Sequence, residues 1–237
     1  MNLVGSILAL ESTLPPVRDV CEYVVGAGGL YVRAEDSRIS ALVPVAPAPR
    51  PLAGLAQALP FARLRVPRVN AGWLWSIWKS ALAAMPDEAM YQLVYDDAAR
   101  HSFGGWACAR PQQSASGAHV TFLDVSEASV DLHSHNSMPA FFSATDDADE
   151  QGLRFYMVIG RLGTERPEIS SRVGVYGHTM RVPAATVFDG LGPFVDTFGR
   201  CRVCGCTELQ GCEGGCYWVE EDLCSQCAHA DESLQAA

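Results

Sequence analysis

His133 and His135 stand two residues apart in the segment VDLHSHNSMPAFFSATDDADE, and Ser143 and Asp146 follow after a gap of seven residues. Side chains two apart on a β-strand leave the same face, about 6 to 7 Å apart along the backbone, so both imidazoles can converge on one ion. Asp146, in the first turn of a short helical stretch, brings a carboxylate to complete the set. Two histidines, one aspartate and a water make an open tetrahedral zinc site of the catalytic kind. The same residues admit a plainer reading. Ser143-x-x-Asp146 has the form of a helix capping box with Asp in place of Glu, and Asp147, Asp149 and Glu150 suit a solvated helix N-terminus. Capping and metal binding can coexist at Asp146. A His-x-His pair alone is weak evidence, but the complete spacing with Ser and Asp is rare by chance and favours the metal.

A second chemical centre lies near the end of the chain. Seven of the nine cysteines fall between Cys201 and Cys227. Cys201-x-x-Cys204 and Cys224-x-x-Cys227 form two knuckles able to deliver four thiolates to one zinc ion, as in a zinc ribbon. Cys206, Cys212 and Cys216 remain, with His229 nearby, so a second ion or another ligand set stays open, and an iron–sulfur cluster is the alternative cofactor. Cys21 and Cys108 stand alone and read as small packed side chains.

These residues need elements to position them. Leu74, Ile77, Trp78, Ala81, Leu82 and Met85 recur at helical spacing from Asn70 until Pro86 ends the run, which predicts an amphipathic helix. Strands are expected at 90–95, 119–125, 130–135, 153–159 and 173–176, with a short helix at 144–151. Before them, 22–30, 31–34 and 39–45 read as β-prone runs, and the proline-rich 44–54 reads as a linker or extended surface segment. Helices mixed irregularly with strands indicate an α/β or α+β sandwich. The layout expected is a small β-rich segment over 1–60, a main domain over 61–198, a cysteine-rich module over 199–230 and a loose tail over 231–237.

The chain of 237 residues is about half hydrophobic, enough for a substantial core. Its net charge of −10 argues against nucleic acid and anionic membranes as partners. The module from Cys201 onward has Arg202 as its one basic residue against seven acidic ones, the wrong sign for phosphate. Tyr217 and Trp218 there suit a small core better than a contact patch. With no apolar run of membrane length and no secretory signal pattern, the expected location is cytoplasmic. Lys79 is the only lysine, which an arginine-rich composition explains most simply.

Taken together, His133, His135, Ser143 and Asp146 resemble the motif of the JAMM (JAB/MPN-plus) zinc metallopeptidases, which cleave isopeptide or peptide bonds after ubiquitin-like proteins. The resemblance implies a cytidine-deaminase-like core and an upstream glutamate as general base, after the first long helix and at the start of a strand. Glu88 in AAMPDEAMYQLVYD stands at that place; Asp87 is its neighbour, and Glu127 lies too close to the histidines for the family arrangement. It further implies that Glu88 takes a proton from zinc-activated water and that Ser143 donates to the oxyanion, a contact worth about 3 to 4 kcal/mol. Most members carry Pro directly after the second histidine, where this chain has Asn136, with Pro139 three places on. The segments LWSIWKSAL, HSHNSMPAFFSATDDADE, YMVIGRLG and RVGVYG are similar to the JAB-domain proteins of bacterial PRTRC systems, over most of residues 60 to 190. That likeness implies a ubiquitin-like substrate cut at its C-terminal end, with E1-like and E2-like companions. The short stretch from Arg161 to Val173 leaves little room for a long chain-gripping insertion. The alternatives are a non-cleaving, metal-stabilised scaffold that binds such a modifier, and a peptidase of sulfur-carrier metabolism or phage-like assembly.

Overall fold

β-Branched and aromatic residues separated by tight turns build a five-stranded sheet from the first part of the chain. Its strands are β1 (Val4–Leu8), β2 (Cys21–Gly26), β3 (Gly29–Glu35), β4 (Ile39–Pro47) and β5 (Phe61–Leu64), paired in that order. The first pair is parallel and the rest antiparallel. The computed structural model describes residues 3–100, 103–116, 119–207, 210–220 and 222–228. His229 and the expected loose tail 231–237 lie outside the described residues.

Two expectations for this region change. Of the two readings of 44–54 the extended surface segment holds and the linker does not: β4 runs through Pro44 and Pro47, and the largely exposed segment after it folds back so that Leu52 N–H donates to Ala27 O and Ala56 N–H to Ala9 O. The physical reason is that β5 pairs β4 only as far as Leu42, so the prolines fall where one side of the strand has no ladder to break. The sheet also continues through β5 to Leu64, past the expected boundary near residue 60.

Helix α1 (Ala71–Ala84) follows, capped by Asn70, whose side chain accepts from Gly72 N–H. It buries Leu74, Ile77 and Ala81, each apolar side chain of Leu or Ile size contributing about 2 kcal/mol. The central sheet is formed by β6 (Met90–Tyr95), β7 (Trp106–Ala109), β10 (Ala128–Ser134), β11 (Arg154–Gly160), β12 (Glu168–Val175), β13 (His178–Arg181) and β14 (Val195–Asp196). The main order is β13-β12-β11-β10-β6-β7, with β14 beside β12. A hairpin of β8 (Gln113–Ser116) and β9 (His119–Phe122) stands apart from it, and α2 (Ala144–Asp149) lies between β10 and β11 in sequence. Sheets thus dominate an α+β fold.

Strand alternation divides the central sheet into two chemically different faces. Tyr91, Leu93, Val130, Leu132, Phe155, Met157, Ile159, Ile169 and Val173 turn to the main core. Met90, Gln92, Asp131, His133, Tyr156 and Arg172 alternate with them on the other face. The core side is shared with α1 and with Val32, Ala34, Ile39, Ala41 and Val43 of the N-terminal sheet. The N-terminal sheet and the central domain therefore share one continuous core.

The cysteine-rich module holds β15 (Trp218–Glu220) and β16 (Leu223–Cys224) in an antiparallel pair. Cys201, Cys206, Leu223 and Cys224 form its small core with Trp218 packed against it, whereas Tyr217 is exposed. Arg181 on β13 ties the module to the central sheet through Asp222 at 3.2 Å.

Candidate metal centre

The polar face of the central sheet carries the first ligands. His133 is near the end of β10, and His135 lies just past it, yet its N–H donates to Ile159 O at 2.8 Å and so continues the parallel pairing with β11. Both imidazoles are buried, with their Nε2 atoms 3.1 Å apart. His135 Nδ1 faces Pro139 O at 3.3 Å, and a carbonyl only accepts, so the proton sits on Nδ1 and the Nε2 lone pair is free for a cation. Burial pushes His133 down to about 4 against the opposing pull of Asp146, and burial likewise lowers His135, so both rings are neutral.

Asp146 divides its two oxygens between two tasks. Oδ2 accepts from Ser143 N–H at 2.6 Å and from Ser143 Oγ at 2.7 Å, the reciprocal half of a capping box that starts α2. Oδ1 stands 3.4 Å from His133 Nε2. Burial opposes the negative charge, but His133 and the Ser143 hydrogen bonds outweigh it and hold the carboxyl below its ordinary range. One ligand atom each from His133, His135 and Asp146 gather within 4.8 Å of one another. Two imidazole nitrogens and a carboxylate oxygen gathered this closely are a donor set of the nitrogen–oxygen kind that suits zinc. The residues fit the ion.

Glu88 enters the same cavity from the loop after α1. Its side chain is buried, and Oε1 has no hydrogen-bond partner among the described residues. Burial, with Asp146 nearby, pushes it up to about 7. The cavity has a volume of about 260 Å³; Val120 and Phe122 of the β8–β9 hairpin wall it on one side, Met138 and Phe141 on another. Glu127 is exposed and outside this cavity, as is Asp87.

Sequence reasoning missed the supports beneath the ligands. Arg172 on β12 donates to Glu150 at 2.6 Å and to Asp147 at 2.6 Å, with its guanidinium 3.9 Å above the Phe142 ring. It thus clamps α2, and with it Asp146, onto the sheet; Glu150 is buried against Arg172, whereas Asp147, though paired with it, and Asp149 stay exposed as a solvated face would. Glu150 is pushed up to about 8 chiefly by burial, which Arg172 opposes. A second arginine, Arg154, joins Asp131 (2.9 Å) to Asp124 (2.5 Å), and Gln92 donates to Asp131 at 2.8 Å. The alternation of β12 placed Arg172 on the polar face, and that signal was available in the sequence.

In the cysteine-rich module, Cys201, Cys204, Cys224 and Cys227 bring their sulfurs within 4.8 Å of one another, able to hold a metal ion. Cys21 is buried in the main core and Cys108 packs against it, where burial pushes the Cys108 thiol up to about 11. Among the described residues no helix is long and apolar enough to cross a membrane.

No curated protein matches the chain. Residues 70–173 match the family model for prokaryotic homologs of the JAB domain, a span that begins at the N-cap of α1 and ends in β12. It includes Glu88, His133, His135, Ser143, Asp146 and Arg172, and leaves out the N-terminal sheet and the cysteine-rich module. The part of the chain that builds this centre, residues 70–173, is thus similar to the prokaryotic homologs of the JAB domain.

Proposed function

We propose that this protein is a zinc-dependent peptidase or isopeptidase that cuts after the C-terminal end of a bacterial ubiquitin-like protein. One observation carries the hydrolytic part of this reading. A buried carboxylate whose Oε1 has no hydrogen-bond partner among the described residues, that of Glu88, shares one cavity with a complete His-His-Asp ligand set. A structural carboxylate at that depth would be expected to find a donor.

His133, His135 and Asp146 would hold the ion. The chemistry zinc supplies in such a site is Lewis acidity, which makes water acidic near neutral pH and polarises an acyl oxygen. Glu88 accepts the proton of the attacking water at Oε1 and returns it to the leaving amine, a task suited to a carboxyl poised near 7. The two imidazoles stay neutral and take no proton. Ser143 Oγ, held by Asp146 Oδ2 at rest, turns its single proton toward the acyl oxygen as negative charge develops there. The apolar walls exclude bulk water and strengthen both interactions. The narrow cavity suits an extended tail, and the short β11–β12 connection supports a single modifier over a chain of them as substrate. The PRTRC likeness supports E1-like and E2-like companions as partners.

The test is cleavage of a ubiquitin-like protein carrying a C-terminal extension, by the zinc-loaded full chain and by Glu88→Gln. The expected result is a rate loss of about 10²- to 10⁴-fold with the metal content unchanged. Equal rates would remove Glu88 from the mechanism. Tight binding without cleavage by the wild type would favour the second reading, a metal-stabilised scaffold for the same partner.

A further inference from the structure

The cysteine-rich module lies outside the family match, and its sulfurs are arranged more specifically than one tetrahedral site requires. Beside the tetrad of Cys201, Cys204, Cys224 and Cys227, a second one forms from Cys204, Cys206, Cys212 and Cys224, again with all sulfurs within 4.8 Å of one another. The two tetrads have Cys204 and Cys224 in common. At the join the sulfurs are close: Cys204 to Cys212 is 3.6 Å, Cys204 to Cys224 is 3.7 Å and Cys212 to Cys224 is 3.8 Å. Thiolates about 2.3 Å from one tetrahedral zinc stand about 3.8 Å from one another, so these are the separations of ligands that share an ion. The terminal thiolates of a four-iron cube bind four different irons and stand farther apart, which disfavours that cofactor here.

We propose that the module holds two zinc ions in one binuclear thiolate cluster. Cys204 and Cys224 bridge the ions, Cys201 and Cys227 complete one tetrahedron, and Cys206 and Cys212 complete the other. Cys216 lies 3.7 Å from Cys206 and accepts from Cys212 N–H at 3.4 Å, but belongs to neither tetrad.

Two physical arguments favour sharing over a single ion. With one ion at the first tetrad, Cys206 and Cys212 would crowd against bound thiolates as unused thiols, and Cys206 is buried. Sharing two ligands also holds a second cation with fewer thiolates, and so with less negative charge than two separate sites would carry. That matters in a segment whose other charges are mostly acidic. The module's apolar core is little more than Leu223 and Trp218, so metal bonds must supply much of its folding energy.

The test uses the full chain loaded with the NMR-active isotope of cadmium. Two resonances in the all-thiolate range are expected, both correlated with the β-protons of Cys204 and Cys224; the His-His-Asp site is separated by its nitrogen and oxygen ligation. A single all-thiolate resonance, or two that do not share both cysteines, overturns the cluster. In the zinc protein, a Cys206→Ser, Cys212→Ser double variant should fall from two module zinc ions per chain to one. Unchanged zinc in that variant also overturns it, and should the variant fail to fold, the wild-type spectrum decides alone.

Discussion

Asn136 Nδ2 donates to Pro86 O at 2.6 Å, joining the loop just after the second histidine to the loop that carries Glu88. The bond spans two segments fifty residues apart and so sets the distance between the proposed base and the ligands. Asn136 has φ +49°, a left-handed conformation that asparagine tolerates and proline, fixed near −65°, does not. The departure from the family's usual proline is thus a different way of setting the same loop. Asn136→Pro is expected to destabilise the protein by about 2 to 3 kcal/mol, measured by denaturant unfolding. Asn136→Ala should keep its zinc and lose mainly kcat; a loss of zinc with kcat intact would contradict the tether.

Zinc binding should expel a proton from Glu88. The carboxyl is held up to about 7 by burial and Asp146, so near pH 6 it is mostly protonated, whereas His133 at about 4 is already neutral. A cation at the ligand set pulls Glu88 down and drives off its proton. Calorimetric titration in buffers of different ionisation enthalpy should find close to one proton more released by wild type than by Glu88→Gln. Equal release would show that Glu88 does not feel the metal.

Arg172→Leu leaves Glu150 buried without its partner and frees α2. A cost of about 1.5 to 3 kcal/mol is expected from the lost hydrogen bonds, together with weaker zinc binding at the His-His-Asp site while the cysteine-rich module keeps its metal. Site-resolved zinc content separates these effects from general unfolding.

Acid should weaken the N-terminal sheet through Glu22. Burial opposes its charge, but the amide of Arg18 and the guanidinium of Arg33, 2.5 Å away, hold its carboxyl below the ordinary value of 4.5. A depressed folded pKa means stability present above the unfolded value and lost as pH falls through the folded one. The melting temperature of wild type should therefore drop below about pH 4.5, and Glu22→Gln, less stable at neutral pH, should show a shallower fall.

Much of the architecture was legible because the site lies on regular elements. The repeat from Leu74 to Ala81 located α1, and the strand of β6 came out at its observed limits. His133, His135 and Asp146 were legible because a strand end followed by a capped helix turn is a local arrangement, and these three do converge. What stayed hidden was set by contacts distant in sequence. Nothing local told that Pro44 and Pro47 would lie beyond the reach of β5, or that Arg172 would cross to Asp147 and Glu150. The short β7, β8 and β13 carry too few residues for alternation to register. Spacing alone also left the cysteines unpaired, because which thiolates meet depends on how β15 and β16 fold back.

The continuity between the N-terminal sheet and the central domain bears on how the gene can be divided. A fragment drawn at the limits of the family match would strip away Val32, Ile39, Ala41 and Val43 and leave their partners on the central sheet facing water. Such a fragment would aggregate even with every ligand in place. The smallest heritable unit of this scaffold is therefore larger than the segment that matches the family, and the strands of the N-terminal sheet must travel with it through any recombination.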